Sequence, residues 1–467
     1  MMAALQPAVN DARGWEMQAD PLADDTIARI LGPYDGAGGA GDTAGMWAAI
    51  GIVNRQLAQW QANGQLAKWQ ADADVPAFIA AALQDYLRSG LALPAWASAA
   101  RIERAETLFF DMSMMSCALL FCASLPECYV LPDLSGVLHV AGQLEAHTDY
   151  RVRATAAMIF PVMMKGGLTG ADGGGVAQTL KVRLIHATIR HLILRGSPAA
   201  AIAAGTALAP LPAEGASLHQ TLYAHGWDVA ADGLPCNQQE LAYTLLTFHY
   251  IYLRGLRRLG LGLSESDERA YLHAWNVMGH VLGIDSALMV ESMAEAGQLF
   301  ARMQARGRSQ SWLPDPRPAL GAALMQTMEN EIPLRLLKAF PVLLTRYLCG
   351  PETAADLGIT GRVSLLSRVV FALFMGITRA IDSLMRLFLP EFSICRMLTR
   401  VVGYRFTVKV LMDQTRPLKL PAALLNQMNA TVRNWHEDPK APRWMNAVEA
   451  RLSGRRAQQA AQGSQPC

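Results

Sequence analysis

From Met46 onward, helical signals dominate the pattern of apolar and polar positions: Ala, Leu, Met, Gln and Arg recur, and runs of alternating β-branched residues are rare. That pattern predicts an all-α protein. Asp74 and Pro76 can open a helix over about 77–89, and Pro94, Pro126 and Pro132 punctuate the chain beyond it. The stretch 101–123 predicts one long, mostly apolar helix, and 144–164 predicts a second, kinked or ended near Pro161. Gly170, Gly173, Gly174 and Gly175 predict a turn, and a third helix runs over 176–194 to stop at Gly196. After a short helix and loop at 196–215, Asn237 caps a helix from Gln238 to about Leu259, with Glu240 placed to complete a capping box. Ser264 caps the next, and further helices are expected over 289–306, 318–348, 363–388 and 391–413. Gly36, Gly38, Gly39 and Gly41 mark residues 1–45 as a flexible arm, residues 46–453 as a single helical domain, and residues 454–467 as a disordered tail.

Composition supports a folded, apolar interior. Of 467 residues, 52% are hydrophobic and 17% charged, and the formal net charge is +2. That balance gives no electrostatic reason to expect a nucleic-acid partner. The seven cysteines are odd in number and none sits at Cys-x-x-Cys spacing, which argues against a disulfide framework or zinc ribbon. Asp11, Glu16, Asp20, Asp24 and Asp25 interrupt the N-terminal region, which does not read as a signal peptide, so a cytoplasmic protein is expected. The longest apolar stretches, 112–126 and 369–378, are too short to span a bilayer.

Familiar catalytic motifs are missing: there is no Gly-x-Ser-x-Gly, no His-Glu-x-x-His and no dinucleotide fingerprint. Two constellations remain. In the third helix His186 lies among Leu184, Ile185 and Ile189, with Arg183 about one turn before it and Arg190 one turn after, all on one side. A neutral imidazole there can ligate a metal, and two flanking guanidiniums suit the carboxylates of a haem. The same pattern also describes a core histidine between surface arginines. Upstream, Arg151 and Thr155 are four residues apart and share a helical face, where a cation and a hydroxyl could hold dioxygen, or could equally be an exposed arginine and a helix-facing threonine.

Together these pieces resemble the rubber-oxygenase (latex-clearing) catalytic domain family, which also includes a fungal oxygenase of mycophenolic acid synthesis. The most specific block is Val182-Arg183-Leu184-Ile185-His186-Ala187. Supporting signposts are Asp20-Pro21-Leu22-Ala23-Asp24, Leu93-Pro94-Ala95-Trp96, Ser124-Leu125-Pro126-Glu127-Cys128-Tyr129, Gln238-Gln239-Glu240-Leu241 and Gly279-His280-Val281-Leu282-Gly283. The resemblance implies a globin-like helical core with additional surrounding helices, a non-covalent haem b and an axial histidine, which would be His186. It also implies an Arg-x-x-Lys-Thr motif across the haem. Arg151 and Thr155 match its ends, but the lysine position is Ala154, and a carboxylate proposed as base in the latex-clearing branch has no clear match.

The expectation is therefore a cytoplasmic, haem-b-dependent oxygenase, an oxidoreductase using dioxygen on carbon–carbon double bonds of a long apolar, isoprenoid-like substrate. His186 would be the iron ligand, Arg183 and Arg190 cofactor-binding residues, and Arg151 and Thr155 catalytic. Two alternatives stay open. One is a non-catalytic haem or lipid-binding protein, which the missing lysine favours. The other is a membrane-peripheral interaction protein, suggested by Arg368, Arg379, Arg386, Arg396 and Arg400 among Phe, Leu and Val over 364–400.

Overall fold

The computed structural model describes residues 12–33, 43–140, 148–203, 218–310, 315–385 and 442–453, apart from 113–115, 117, 331, 333 and 334 within those stretches, together with Met397. Among them every regular element is a helix. Two helices, Gln238–Arg258 and Glu265–Leu282, form the centre and are buried on almost every side. A helix buried on nearly every side must be enclosed by others, and its polar side chains such as Gln238 and Asn276 are met by backbone carbonyls. Phe248 stacks on Trp275 with centroids 5.8 Å apart, and Tyr252 stacks on Tyr271 at 4.9 Å, so aromatic faces fill the seam between the pair.

The central pair is enclosed by helix Ala99–Asp111 along Glu265–Leu282, and by Met293–Ser309 along Gln238–Arg258. The helices that concern function lie beside them. Thr148–Met163 packs against Gly175–Arg195, which also lies on Glu265–Leu282 and on Pro21–Leu31; the last of these is held in turn by Ala77–Gly90. The caps read from sequence form as expected. Asn237 Oδ1 accepts from the Glu240 amide at 3.0 Å, and Ser264 Oγ accepts from the Asp267 amide at 3.2 Å. Glu240 reaches back one residue further than a capping box requires, accepting from the Cys236 amide at 3.0 Å.

Three expectations are corrected. Residues 12–33 do not belong to a flexible arm: they hold the helices Ala12–Glu16 and Pro21–Leu31, with Ala23 and Ile27 in the core. The helix expected over 101–123 is α-helical to Asp111 and then, at Leu120–Ser124, a π-turn that leads into Leu125–Cys128. Pro126 has no N–H to give the Cys122 carbonyl; instead the Cys349 thiol lies 3.5 Å from Cys122 O and 3.7 Å from Ala123 O. The helix expected over 318–348 is two, Arg317–Asn330 and Phe340–Cys349, with a 3₁₀ turn at Arg335–Leu337 between them. Residues 36–41, the helix expected over 391–413 apart from Met397, and the tail 454–467 lie outside the described residues. Among the described residues no helix is long and apolar enough to cross a membrane.

Candidate functional site

The candidate site rests on the helices Thr148–Met163 and Gly175–Arg195, neighbours in sequence that pack side by side. Their connection is unusually close. The Gly175 amide donates to Gly167 O at 2.8 Å, and a Cβ on Gly167 would sit 2.2 Å from Pro161 O. No other residue fits there, so the glycines serve close approach and not only a turn. Asn63 and Glu106 clamp the same loop. Asn63 Nδ2 donates to Gly167 O at 2.8 Å and Gly170 O at 3.0 Å, and its Oδ1 accepts from the Ala177 amide at 3.1 Å. Glu106 accepts from the Gly166 and Gly167 amides at 2.9 and 3.1 Å, and burial pushes its carboxyl above the usual range despite those bonds. From this fixed connection Thr155 lies about 12 Å up one helix and His186 about 16 Å up the other, by residue rise. The two are brought to comparable height on neighbouring helices.

His186 is half-buried. Val182, Ile185 and Ile189 recur around it at three- and four-residue spacing, half-buried or exposed, and Ile185 is 42% exposed. On the neighbouring helix Thr155 and Met158 are likewise half-buried. An imidazole framed by aliphatic side chains suits the apolar face of a macrocycle. Among the described residues no three His, Cys, Asp or Glu side chains converge as a cage for a bare metal ion. A metal at His186 would draw its remaining ligands from elsewhere, as iron does in a porphyrin. Arg151 and Ala154 lie in the backbone of the Thr148–Met163 helix, but their side chains are outside the described residues.

The arginines do not fit the role expected of them. Arg183 Nη2 donates to Asp20 Oδ1 at 2.6 Å, its Nε donates to Asp20 Oδ2, and its Nη1 donates to Val281 O at 3.1 Å. Arg190, 1% exposed, donates to Asp24 Oδ1 at 2.6 Å, Pro235 O at 3.0 Å and Cys236 O at 2.8 Å. Every nitrogen of both guanidiniums already has an acceptor within the fold. The pairing of Arg183 and Arg190 with a cofactor's carboxylates is therefore corrected: they bolt the His186 helix to Pro21–Leu31 and to the 235–236 turn. Burial raises the Asp24 pKa, against the pull of Arg190, so this pair stands in a poorly solvated place. Cys236, whose carbonyl receives Arg190, is held at φ 54°, a left-handed conformation that these bonds maintain.

The sequence reading overlooked Lys181 on the same helix. It is half-buried, burial lowers its pKa to about 8, and no carboxylate among the described residues lies within ion-pair reach. Five residues before His186 and four before Ile185, it shares the side of the helix that Ile185 leaves exposed. The signal was present as a lone cation in an apolar stripe, but two larger cations nearby drew attention from it.

Comparison with known proteins bears on this arrangement. The family described as ER-bound oxygenase mpaB/B'/rubber oxygenase, catalytic domain, matches residues 134–380, just over half of the chain. This chain belongs to that family. The rubber oxygenase of Streptomyces sp. (strain K30) is 22% identical over 274 residues, 58% of this chain and 53% of the relative. The chain thus matches about half the length of that relative. Among solved structures, latex clearing protein LCP in the closed state superposes with a TM-score of 0.57 at 17% identity, over 92% of this chain and 93% of the other. That likeness establishes a shared helical fold of the rubber-oxygenase kind. Both helices of the candidate site lie within the family match, whereas Asp20 and Asp24 lie before it. The family signposts acquire structural meaning. Asp20 and Asp24 are the partners of the two arginines, and Trp96 lies edge-on between His273 and His280, with centroids 5.6 and 6.1 Å away.

Proposed function

We propose that the protein is a haem-dependent oxygenase that cleaves a carbon–carbon double bond of a long apolar, isoprenoid-like substrate. The observation that carries the reading is His186: a half-buried imidazole in an aliphatic stripe, on a helix fixed by two buried ion pairs, within the family-matched region. Bound haem would supply the activation of dioxygen. The overall change balances without an external reductant: dioxygen adds across C=C, the carbon–carbon bond breaks, and each carbon leaves as a carbonyl with one oxygen atom.

The chain's own residues have distinct parts in this proposal. His186 would hold the iron. Val182, Ile185, Ile189 and Met158 would exclude water and meet the apolar substrate or ring. The Thr155 hydroxyl would donate a hydrogen bond to dioxygen, and Arg151, four residues before it in sequence, is the second residue proposed for that role. Lys181, a cation without a described partner, would meet a haem carboxylate in place of Arg183 and Arg190. Fixed donors of this kind contribute about 3 kcal/mol each to barrier lowering.

The test is turnover under oxygen-18 gas with an isoprenoid polyene, read by mass spectrometry. The expected result is paired carbonyl fragments, each carrying one heavy oxygen. Haem-loaded protein that yields no such product from isoprenoid alkenes would favour the second reading, a non-catalytic haem or lipid carrier. Ala154, where the family motif has lysine, is the observation on that side.

A further inference from the structure

Away from the candidate site, helix Leu365–Met385 presents large apolar side chains to solvent. Leu366, Leu373, Ile377 and Leu384 are 62, 56, 54 and 60% exposed, and their spacing of seven, four and seven residues aligns them on one face. Leu365, 73% exposed, and Leu336, 40% exposed on the neighbouring 3₁₀ turn, extend the patch. The opposite side is fastened. Ser367 Oγ donates to Leu336 O at 3.2 Å, and Phe371 meets Phe340 edge-on at 5.3 Å. Arg379 donates to Arg258 O and lies over the Tyr347 ring, 5.5 Å from its centroid. The helix is thus held firmly with its apolar face outward. Scattered exposed leucines need no explanation, but an aligned stripe of this extent marks an interaction surface.

At the N-terminal end of the stripe lies an open cleft of about 630 Å³ between helix Phe340–Cys349 and residues 360–368, lined by Arg346, Arg362, Arg368, Thr360, Leu343 and Val363. Arg346 donates from Nε to Ile359 O at 2.6 Å and from Nη2 to Gly361 O at 2.7 Å, which fixes its plane. Burial and then the neighbouring Arg368 charge lower its pKa. None of the three guanidiniums has a carboxylate within ion-pair distance among the described residues. Along 362–384 the chain has a single acidic residue, Asp382, and it is buried.

We propose that this surface docks on an anionic lipid bilayer, with the stripe lying in the interface and a lipid phosphate held by the Arg346, Arg362 and Arg368 cleft. A cation cluster at the edge of an exposed apolar helix is the arrangement an amphipathic interfacial helix uses, and among the described residues no helix is long and apolar enough to span. The charge pattern selects the lipid surface over a second copy of the chain. An isologous contact apposes the patch to itself, and among the described residues the patch has no exposed carboxylate to offer the arginines. The inference is independent of the oxygenase reading, although a membrane is where long isoprenoids dissolve.

The test uses the full-length protein and flotation with phosphatidylcholine vesicles, with and without phosphatidylserine, at low and high salt. The expected result is flotation with the anionic vesicles only, weakened by salt. Each arginine near an anionic surface contributes about fivefold in binding, so Arg362→Ala with Arg368→Ala reduces partitioning roughly thirtyfold. Leu373→Asp with Ile377→Asp reduces it to background. All four residues are exposed, and an unchanged circular dichroism spectrum confirms that the variants fold. Equal flotation with neutral vesicles, or none with either, overturns the proposal. So does a dimer by light scattering that the Leu373→Asp/Ile377→Asp variant converts to monomer.

Discussion

Replacing Arg190 by methionine separates a structural bolt from a cofactor ligand. The substitution keeps the aliphatic stem in a position that is 1% exposed but removes the ion pair with Asp24 and the bonds to Pro235 O and Cys236 O. Breaking one partner of a buried pair costs about 3–5 kcal/mol. The Asp24 side chain is 19% exposed and recovers some hydration, which favours the lower end of that range. Two carbonyls left without their donor add about 1 kcal/mol each. Together these give a loss of roughly 5 kcal/mol in the apoprotein, read as the shift in urea midpoint multiplied by the m-value. Burial already raises the Asp24 pKa, and losing Arg190 raises it further, so the orphaned carboxyl takes up a proton more readily. The gap between variant and wild type therefore narrows as pH falls from neutrality. The fraction of variant that folds should bind haem as wild type does. A variant with wild-type apoprotein stability but no haem would refute the reasoning and return Arg190 to the cofactor.

Gly167→Ala places a Cβ 2.2 Å from Pro161 O and should cost about 3 kcal/mol by urea denaturation, whereas Gly51→Ala, with nothing within 4 Å, should stabilise by about 1 kcal/mol. His249 is buried, and burial lowers its pKa to about 3 from 6.5, so the folded state holds it neutral. Its contribution is fully present above pH 6.5 and is lost as pH falls from 6.5 toward 3, at about 1.4 kcal/mol per pH unit. His249→Leu should reduce the acid slope of stability by about one proton, and an unchanged slope would contradict the neutral assignment.

Much of this was readable from local pattern. The His186 helix was bounded within a residue at each end because glycines flank a continuous helical period, and Asn237 and Ser264 announced their caps. The block 182–187 carries the family resemblance in its residues alone. What local pattern could not supply was partners distant in sequence. Arg183 and Arg190 are visible as donors, but their acceptors Asp20 and Asp24 lie more than 160 residues away, in a region that nearby glycines made look like an arm. Periodicity also carried a helix through 331–339, although Pro333 was the available sign of a break. Lys181 was missed because its significance lies in its burial with no carboxylate in reach among the described residues, which only packing reveals.

The central claim is that His186 holds a haem. The most direct measurement is the absorption spectrum of haem-reconstituted wild type beside His186→Ala, with circular dichroism confirming that both are folded. The account predicts a Soret band at near one haem per chain for the wild type and its loss in the variant. Equal haem content and identical spectra in the two proteins would contradict it.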